Sequence, residues 1–412
     1  MIVVVLIFSI CVFLLTLFYS IRLKDFLNPL FLFSTPLFLQ YLIYFFVYKK
    51  DYRVSVLTLI TFVSGLLFFL LGYFLFETLK TKSEINNLNE PNLKTNWIFI
   101  YFCLIIGIVF FVLSKIYLGN LNMSNYDLGS AGANLREAFI YSISDIPFYV
   151  TYGKYFLLFS VSVIFYEFVN NEGKIKPLFM YSLLLILILN AFLVMSRTDL
   201  LITLLPILII WSRSVKLTRN KKIDKTMFKE KVSMKKKIII GMGLIVLLFL
   251  MNSMRSIGEK GKLFDKNNVL MQYLGRPIVA FDQWILPQVN ESKEILILEP
   301  INKVFLQLGI IHKDSIKLAP LGQFNVYSYL RVPFMEFGLI GIVIIMLVIG
   351  IFANYIYTKS KNGNRNWLIF YAFYSYSFVM AFFDWQFGVM TYAYLIIFLF
   401  FASAINTTIL KR

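Results

Sequence analysis

Long apolar runs alternate with short polar stretches from one end of the chain to the other. Many are about twenty residues long, the length a helix needs to cross roughly 30 Å of hydrocarbon. Eleven can be traced, over 2–20, 26–48, 54–76, 97–118, 148–169, 177–195, 199–217, 238–254, 330–357, 367–383 and 387–408. The pattern predicts an all-α polytopic integral membrane protein of about eleven transmembrane helices, organised as one transmembrane domain over 1–412. Pro206 falls inside the 199–217 run. A helix break there is tolerable where neighbouring helices satisfy the freed backbone groups. Ile2 to Ser20 has no basic segment before it and no small-residue cleavage pattern after it. It is expected to be a retained helix rather than a signal peptide.

One polar stretch breaks the rhythm. Residues 255–329 make a loop of 75 residues, far longer than an ordinary connection. Its apolar patches, Val269 to Leu274, Ile295 to Leu298 and Val304 to Ile311, are too brief to span. They are expected as short helices lying on or dipping into the membrane interface. Seven acids and nine basic residues nearly cancel within the loop. A large mixed loop over a helical bundle is a natural place for a substrate site. No internal repeat is evident in the chain, which counts against an inverted-repeat transporter.

Composition agrees with the pattern. Hydrophobic residues make up 59 % of the 412, aromatic residues 18 % and charged residues 15 %, against about 25 % charged in a soluble domain. Cys11 and Cys103 both sit in apolar runs, and His312 is the single histidine. No disulfide framework, metal site or cofactor is therefore expected. The abundance of Lys, Asn, Ile and Phe fits a bacterial protein.

Charge sets the orientation. Between Arg213 and Lys237 eleven Lys/Arg stand against Asp224 and Glu230, which is +9 of the formal +18 in 25 residues. Flanked by apolar runs, this stretch reads as a cytoplasmic loop, not a nucleic-acid patch. It is also placed to meet anionic lipid headgroups. With 213–237 inside, 255–329 lies outside, as do 119–147 and the turn 196–198. The loops 170–176 and 358–366 fall inside and are basic, as that topology requires, whereas Lys49-Lys50-Asp51-Tyr52-Arg53 is basic on the outer side.

The candidate chemistry then gathers outside. Ser196-Arg197-Thr198-Asp199 stands where a helix begins. The helix N-terminus and the planar guanidinium of Arg197 together suit a phosphate; the alternative is a plain hairpin with a snorkelling arginine. Arg255, Arg276 in Tyr273-Leu274-Gly275-Arg276-Pro277, and Arg331 share the outer side. Four arginines near the membrane plane suit an anionic lipid-linked substrate, or each anchors to headgroups. Asp282, Glu299, Asp314, Glu336 and Asp384 are the acids there. Glu336, a little inside an apolar run, is the most unusual, because an intramembrane carboxylate is costly and by default functional. It is a candidate general base, or the partner of an outer arginine such as Arg331. His312 is a second candidate base, or a solvated loop residue. No Walker loop, dinucleotide fingerprint, zinc spacing or nucleophile elbow is present.

The combination resembles the Wzy-type oligosaccharide repeat-unit polymerases of O-antigen and capsule synthesis. The resemblance is carried by Met195-Ser196-Arg197-Thr198-Asp199-Leu200-Leu201, by the long outer loop with Arg255 and Arg276, and by Asn325-Val326-Tyr327-Ser328-Tyr329 running on to Glu336-Phe337-Gly338. An acid before Phe-Gly is typical of that family, and Glu336 fills the place. The resemblance covers the C-terminal half. It implies a metal-independent glycosyltransferase that moves a growing glycan from undecaprenyl diphosphate to a new lipid-linked repeat unit. It implies Glu336, Arg197 and Arg276 as catalytic groups, and Arg255, Arg331, Tyr273, Asp282, Tyr327 and His312 as substrate contacts. It further implies a bacterial cytoplasmic-membrane location with the site facing outward. Expected partners are membrane lipids, a chain-length regulator and a flippase. A lipid-linked oligosaccharide flippase is the alternative, but should have short loops and two similar halves. An O-antigen ligase should carry a histidine motif in its outer loop, which His312 alone does not supply.

Overall fold

The computed structural model describes residues 2–79, 95–120, 147–170, 175–193, 197–223, 269–285, 328–361 and 364–404. Among them every regular element is helical and no strand occurs. The helices are α1 (Ile2–Leu23), α2 (Pro29–Ile43), α3 (Val56–Leu79), α4 (Trp97–Asn120), α5 (Phe148–Asn170), α6 (Pro177–Leu193), α7 (Arg197–Ile223), α8 (Val269–Ala280), α9 (Arg331–Lys361), α10 (Arg365–Met380) and α11 (Met390–Ala404). Five among the described residues are long and apolar enough to cross a membrane: α1, α2 with the π turn Tyr44–Tyr48, α3, the Trp97–Ser114 part of α4, and α9. The described residues are thus all-helical and carry helices of membrane-spanning length and composition, as a helical membrane protein requires.

Helices lie over ten of the traced apolar runs, and 238–254 falls outside the described residues. Local chemistry accounts for the boundaries. The run traced from residue 26 starts as a helix only at Pro29, because Asn28 caps it: its Oδ1 accepts from the Phe31 N–H at 3.0 Å. α7 continues past 217 into the basic stretch and ends at Ile223, since Lys and Arg are good helix formers. In the long loop, the patch from Val269 is helical as expected but runs on through Arg276-Pro277 to Ala280. Gly275 and Pro277 to Phe281 are buried, so α8 is docked into the protein rather than resting on its surface.

Contacts divide the chain into two compact units, each discontinuous. Unit 1 comprises Met1–Glu90, Gly261–Asn362 and Phe373–Ala393, and unit 2 comprises Pro91–Lys260, Gly363–Ala372 and Tyr394–Arg412. α10 and α11 supply residues to both.

Unit 1 is organised on α3 and α9, which run side by side in the same direction. Two glycines let their backbones meet. A Cβ at Gly72 would lie 2.1 Å from the Leu347 carbonyl oxygen, and one at Gly350 would lie 2.2 Å from that of Phe69. At one end Tyr357 Oη donates to Asp25 at 2.9 Å, and Asn354 Nδ2 donates to the Tyr73 carbonyl at 2.8 Å and to Glu77 at 3.0 Å. At the other end, which the charge pattern assigns outward, α2 finishes, α3 and α9 begin, and the 381–384 turn is held. There Gln40 Nε2 donates to the Phe382 carbonyl at 3.0 Å.

Unit 2 is organised on the antiparallel pair α4 and α5. A Cβ at Gly107 would lie 2.5 Å from Leu157 N, and one at Gly153 would lie 2.5 Å from Phe110 Cβ. A buried polar cluster closes one end. Arg365, at the start of α10, donates to Glu167 of α5 at 3.3 Å, to Ser403 of α11 at 2.7 Å, to Asn366 at 3.2 Å and to Thr95. Thr95 in turn donates to Glu167. The Asn96 N–H also donates to the Ala402 carbonyl at 2.9 Å, tying the start of α4 to the end of α11.

Candidate functional site

The outward-assigned end of unit 1 collects most of the described candidate residues. α8 carries Tyr273 and Arg276, its terminal π turn (Phe281–Ile285) carries Asp282, α9 carries Arg331 and Glu336, and the turn after α10 carries Asp384. Aromatic packing brings these elements together. The Phe281 ring lies 5.6 Å from Phe62 of α3 and 5.4 Å from Phe334 of α9. Gly275 fits against Tyr48, where a Cβ would meet the ring at 2.5 Å. This contact seats the half-buried Arg276 beside the end of α2.

Asp282 is committed to α3. Its Oδ1 accepts from the Ser55 N–H at 2.9 Å, from Ser55 Oγ at 2.5 Å and from Thr58 Oγ1 at 2.5 Å. Ser55 Oγ also accepts from the Thr58 N–H at 3.2 Å, so Ser55 caps α3 and Asp282 stands as an anion at that helix N-terminus. The carboxylate thereby staples the loop helix onto the bundle.

Arg331 is buried at the start of α9. The chain reaches it through Ser328, a buried residue at φ 81, a conformation unusual outside glycine. Ser328 N donates to the Phe383 carbonyl at 3.1 Å and Tyr329 N to the Ala381 carbonyl at 2.9 Å. These bonds hold the 381–384 turn against the helix start. Burial pushes the Asp384 carboxyl up to about 6, against the lowering effects of the Trp385 N–H, which donates to it at 2.8 Å, and of the Arg331 charge.

Glu336 is half-buried and immediately precedes a break in α9. Phe337 (φ −138, ψ 15) and Gly338 (φ 60, ψ −149) leave the helical region. The Gly338 conformation is essentially restricted to glycine. The half-helix ending in Glu336 folds back tightly, so that a Cβ at Gly341 would lie 2.5 Å from the Pro333 carbonyl oxygen. Interrupted helices at membrane depth are tolerated where they are buried in protein or line a water-filled cavity. The same end buries four side-chain atoms with no hydrogen-bond partner among the described residues: Gln40 Oε1, Tyr41 Oη, Ser328 Oγ and Tyr329 Oη. Buried polar atoms of this kind are rare enough to need an explanation.

The chain matches no protein-family model, no curated protein and no solved structure.

The other expected site residues belong to unit 2 or lie outside the described residues. Arg197 opens α7 in unit 2, and only its backbone is described. Arg255, His312 and Tyr327 lie outside the described residues. Two charged pairs escaped the sequence reading. Lys154 of α5 donates to Asp199, in the first turn of α7, at 2.7 Å. Arg365 meets Glu167 at the other end of unit 2. Both had a signal: Lys154 and Glu167 are the charged residues of the 148–169 apolar run, and intramembrane charges call for named partners.

Proposed function

We propose that this chain is a metal-independent glycosyltransferase that polymerises lipid-linked oligosaccharide repeat units, in the manner of the Wzy-type polymerases its sequence resembles. In this reading it crosses the bacterial cytoplasmic membrane eleven times, with 213–237 inside and 255–329 outside. The observation that carries the reading is the half-helix from Arg331 to Glu336. It places a buried guanidinium and a carboxylate on one short segment, closed by the Phe337–Gly338 break and packed against the π turn that follows Arg276.

The chemistry divides among these groups. A hydroxyl at the non-reducing end of the incoming repeat unit attacks the anomeric carbon of the growing glycan. The new glycosidic C–O bond forms as the bond to the diphosphate oxygen breaks, and undecaprenyl diphosphate leaves. Glu336 takes the hydroxyl proton, a task for a carboxylate within hydrogen-bond reach. Arg276 and Arg331 stabilise the charge developing on the leaving diphosphate, as preorganised cations do well. A chain-length regulator and a flippase are the partners this reaction calls for.

Deletion of the gene in a strain making long surface polysaccharide tests the proposal. A polymerase deletion leaves surface glycan one repeat unit long. Complete loss of surface glycan would instead indicate a flippase, and unchanged chain length would refute both.

A further inference from the structure

We propose that Asp384 is a positioning residue for Arg331, holding its guanidinium toward the leaving diphosphate. The role rests on the polymerase reading; the coupling of the two charges does not. Asp384 ends a turn that is clamped from outside at three successive carbonyls. Tyr329 N donates to Ala381 at 2.9 Å, Gln40 Nε2 to Phe382 at 3.0 Å and Ser328 N to Phe383 at 3.1 Å. Within the turn, Phe383 N and Asp384 N both donate to the Met380 carbonyl, at 2.8 Å and 3.3 Å. Trp385 N then donates to Asp384 Oδ1 at 2.8 Å and fixes the carboxyl.

The clamp strains the residues that form it. Ser328 sits at φ 81, and Ser328 Oγ, Gln40 Oε1 and Tyr329 Oη are buried with no partner among the described residues. Such features persist where the surroundings over-determine them. What they fix here is an acid at the start of α9, where Arg331 is buried two residues beyond Tyr329. The elements holding the turn bring Gln40 and the adjacent Tyr41 from α2, and Arg331 and, five residues on, Glu336 from α9. Of these, Arg331 is the one whose charge acts on the Asp384 carboxyl, lowering it against burial. A guanidinium carries five donors in one rigid plane. A carboxylate that engages one edge of it leaves the rest aimed in a set direction, as recognition of a diphosphate requires.

The test combines turnover with a titration that needs none. Asp384→Asn should lower kcat for chain extension roughly tenfold, the loss of one charge-assisted contact, with KM for the lipid-linked repeat unit unchanged. Its melting temperature at pH 7.5 should be no lower than that of the wild type, which a merely structural role would not allow. Added to Arg331→Gln, the same substitution should cost nothing further, because Asp384 acts through that arginine. Infrared titration of protein labelled with ¹³C-aspartate reads the coupling directly, with Asp384→Asn identifying the band. The Asp384 midpoint should lie near 6 in the wild type and higher in Arg331→Gln. Undiminished kcat, a lowered melting temperature, additive losses in the double variant or an unshifted midpoint would each overturn the proposal. A shifted midpoint with no chain extension by the wild-type protein sinks the polymerase reading and keeps the coupling. Chain extension with an unshifted midpoint does the reverse.

Discussion

Each unit is built on one close helix pair made possible by glycine, yet the outward-assigned end of unit 1 treats its buried polar groups differently from two polar clusters of unit 2. In unit 2, Arg365 donates to Thr95, Glu167, Asn366 and Ser403, and Lys154 is matched to Asp199. These are closed sets, in which donors and acceptors belong to the same few side chains. In unit 1, the outward-assigned end has a serine at positive φ, a helix broken at Phe337–Gly338 and buried oxygens on Gln40, Tyr41, Ser328 and Tyr329 that lack partners among the described residues. Closed sets hold helices in register. Strain and unmet hydrogen bonds persist only where something else over-determines them, and they gather at sites. In the polymerase reading proposed above, the chemistry belongs to the outward-assigned end of unit 1.

Substitutions can break or sharpen that contrast. The largest effect belongs to unit 1 and is catalytic. Glu336→Gln should lower chain-extension rates about 10²- to 10⁴-fold, the usual worth of a general base, while the melting temperature stays at the wild-type value. The next is structural and belongs to unit 2. Arg365→Ala leaves Glu167 buried without its cation and should cost about 3–5 kcal/mol in denaturant unfolding. The paired replacement Arg365→Met with Glu167→Leu should recover most of it, because removing both charges leaves neither stranded.

A smaller effect returns to the break in α9. Nothing lies within 4 Å of a Cβ built at Gly338, so Gly338→Ala tests backbone conformation alone. It should cost about 1–3 kcal/mol of stability and lower activity, whereas a clash-driven position such as Gly72 should fail to fold. The smallest is at Asp384, whose carboxyl burial raises from 3.8 to about 6. The folded protein holds this proton more tightly than the unfolded chain. The stability it contributes is therefore full below 3.8 and is lost as pH rises through about 6. Asp384→Asn should raise the melting temperature by a few degrees at pH 7.5 and leave it unchanged near pH 4, measured by a thermal scan at each pH.

Helix positions were legible in the sequence because hydropathy at membrane length is a strong and local signal. Boundaries drifted where local chemistry intervenes, at Asn28-Pro29 and in the basic extension of α7 to Ile223. The division into two units was not legible, because each unit assembles segments hundreds of residues apart. Within the site, Glu336 stood out as a charge in an apolar run. The break beside it showed in the sequence only as a Gly, and many membrane glycines instead serve close packing, as Gly72 does. Asp282 shows in the sequence as an acid of the long loop, but its bonds to Ser55 and Thr58 do not show, because those residues lie far away in the chain. The pairing of Lys154 with Asp199 does not show in the sequence, because the two lie 45 residues apart.

The most direct test uses the purified protein and an undecaprenyl-diphosphate-linked repeat unit, with products separated by length. The account predicts a ladder of lipid-linked glycans with stoichiometric release of undecaprenyl diphosphate, and no ladder from Glu336→Gln. A substrate returned unextended by the wild-type protein, or an undiminished ladder from Glu336→Gln, would contradict it.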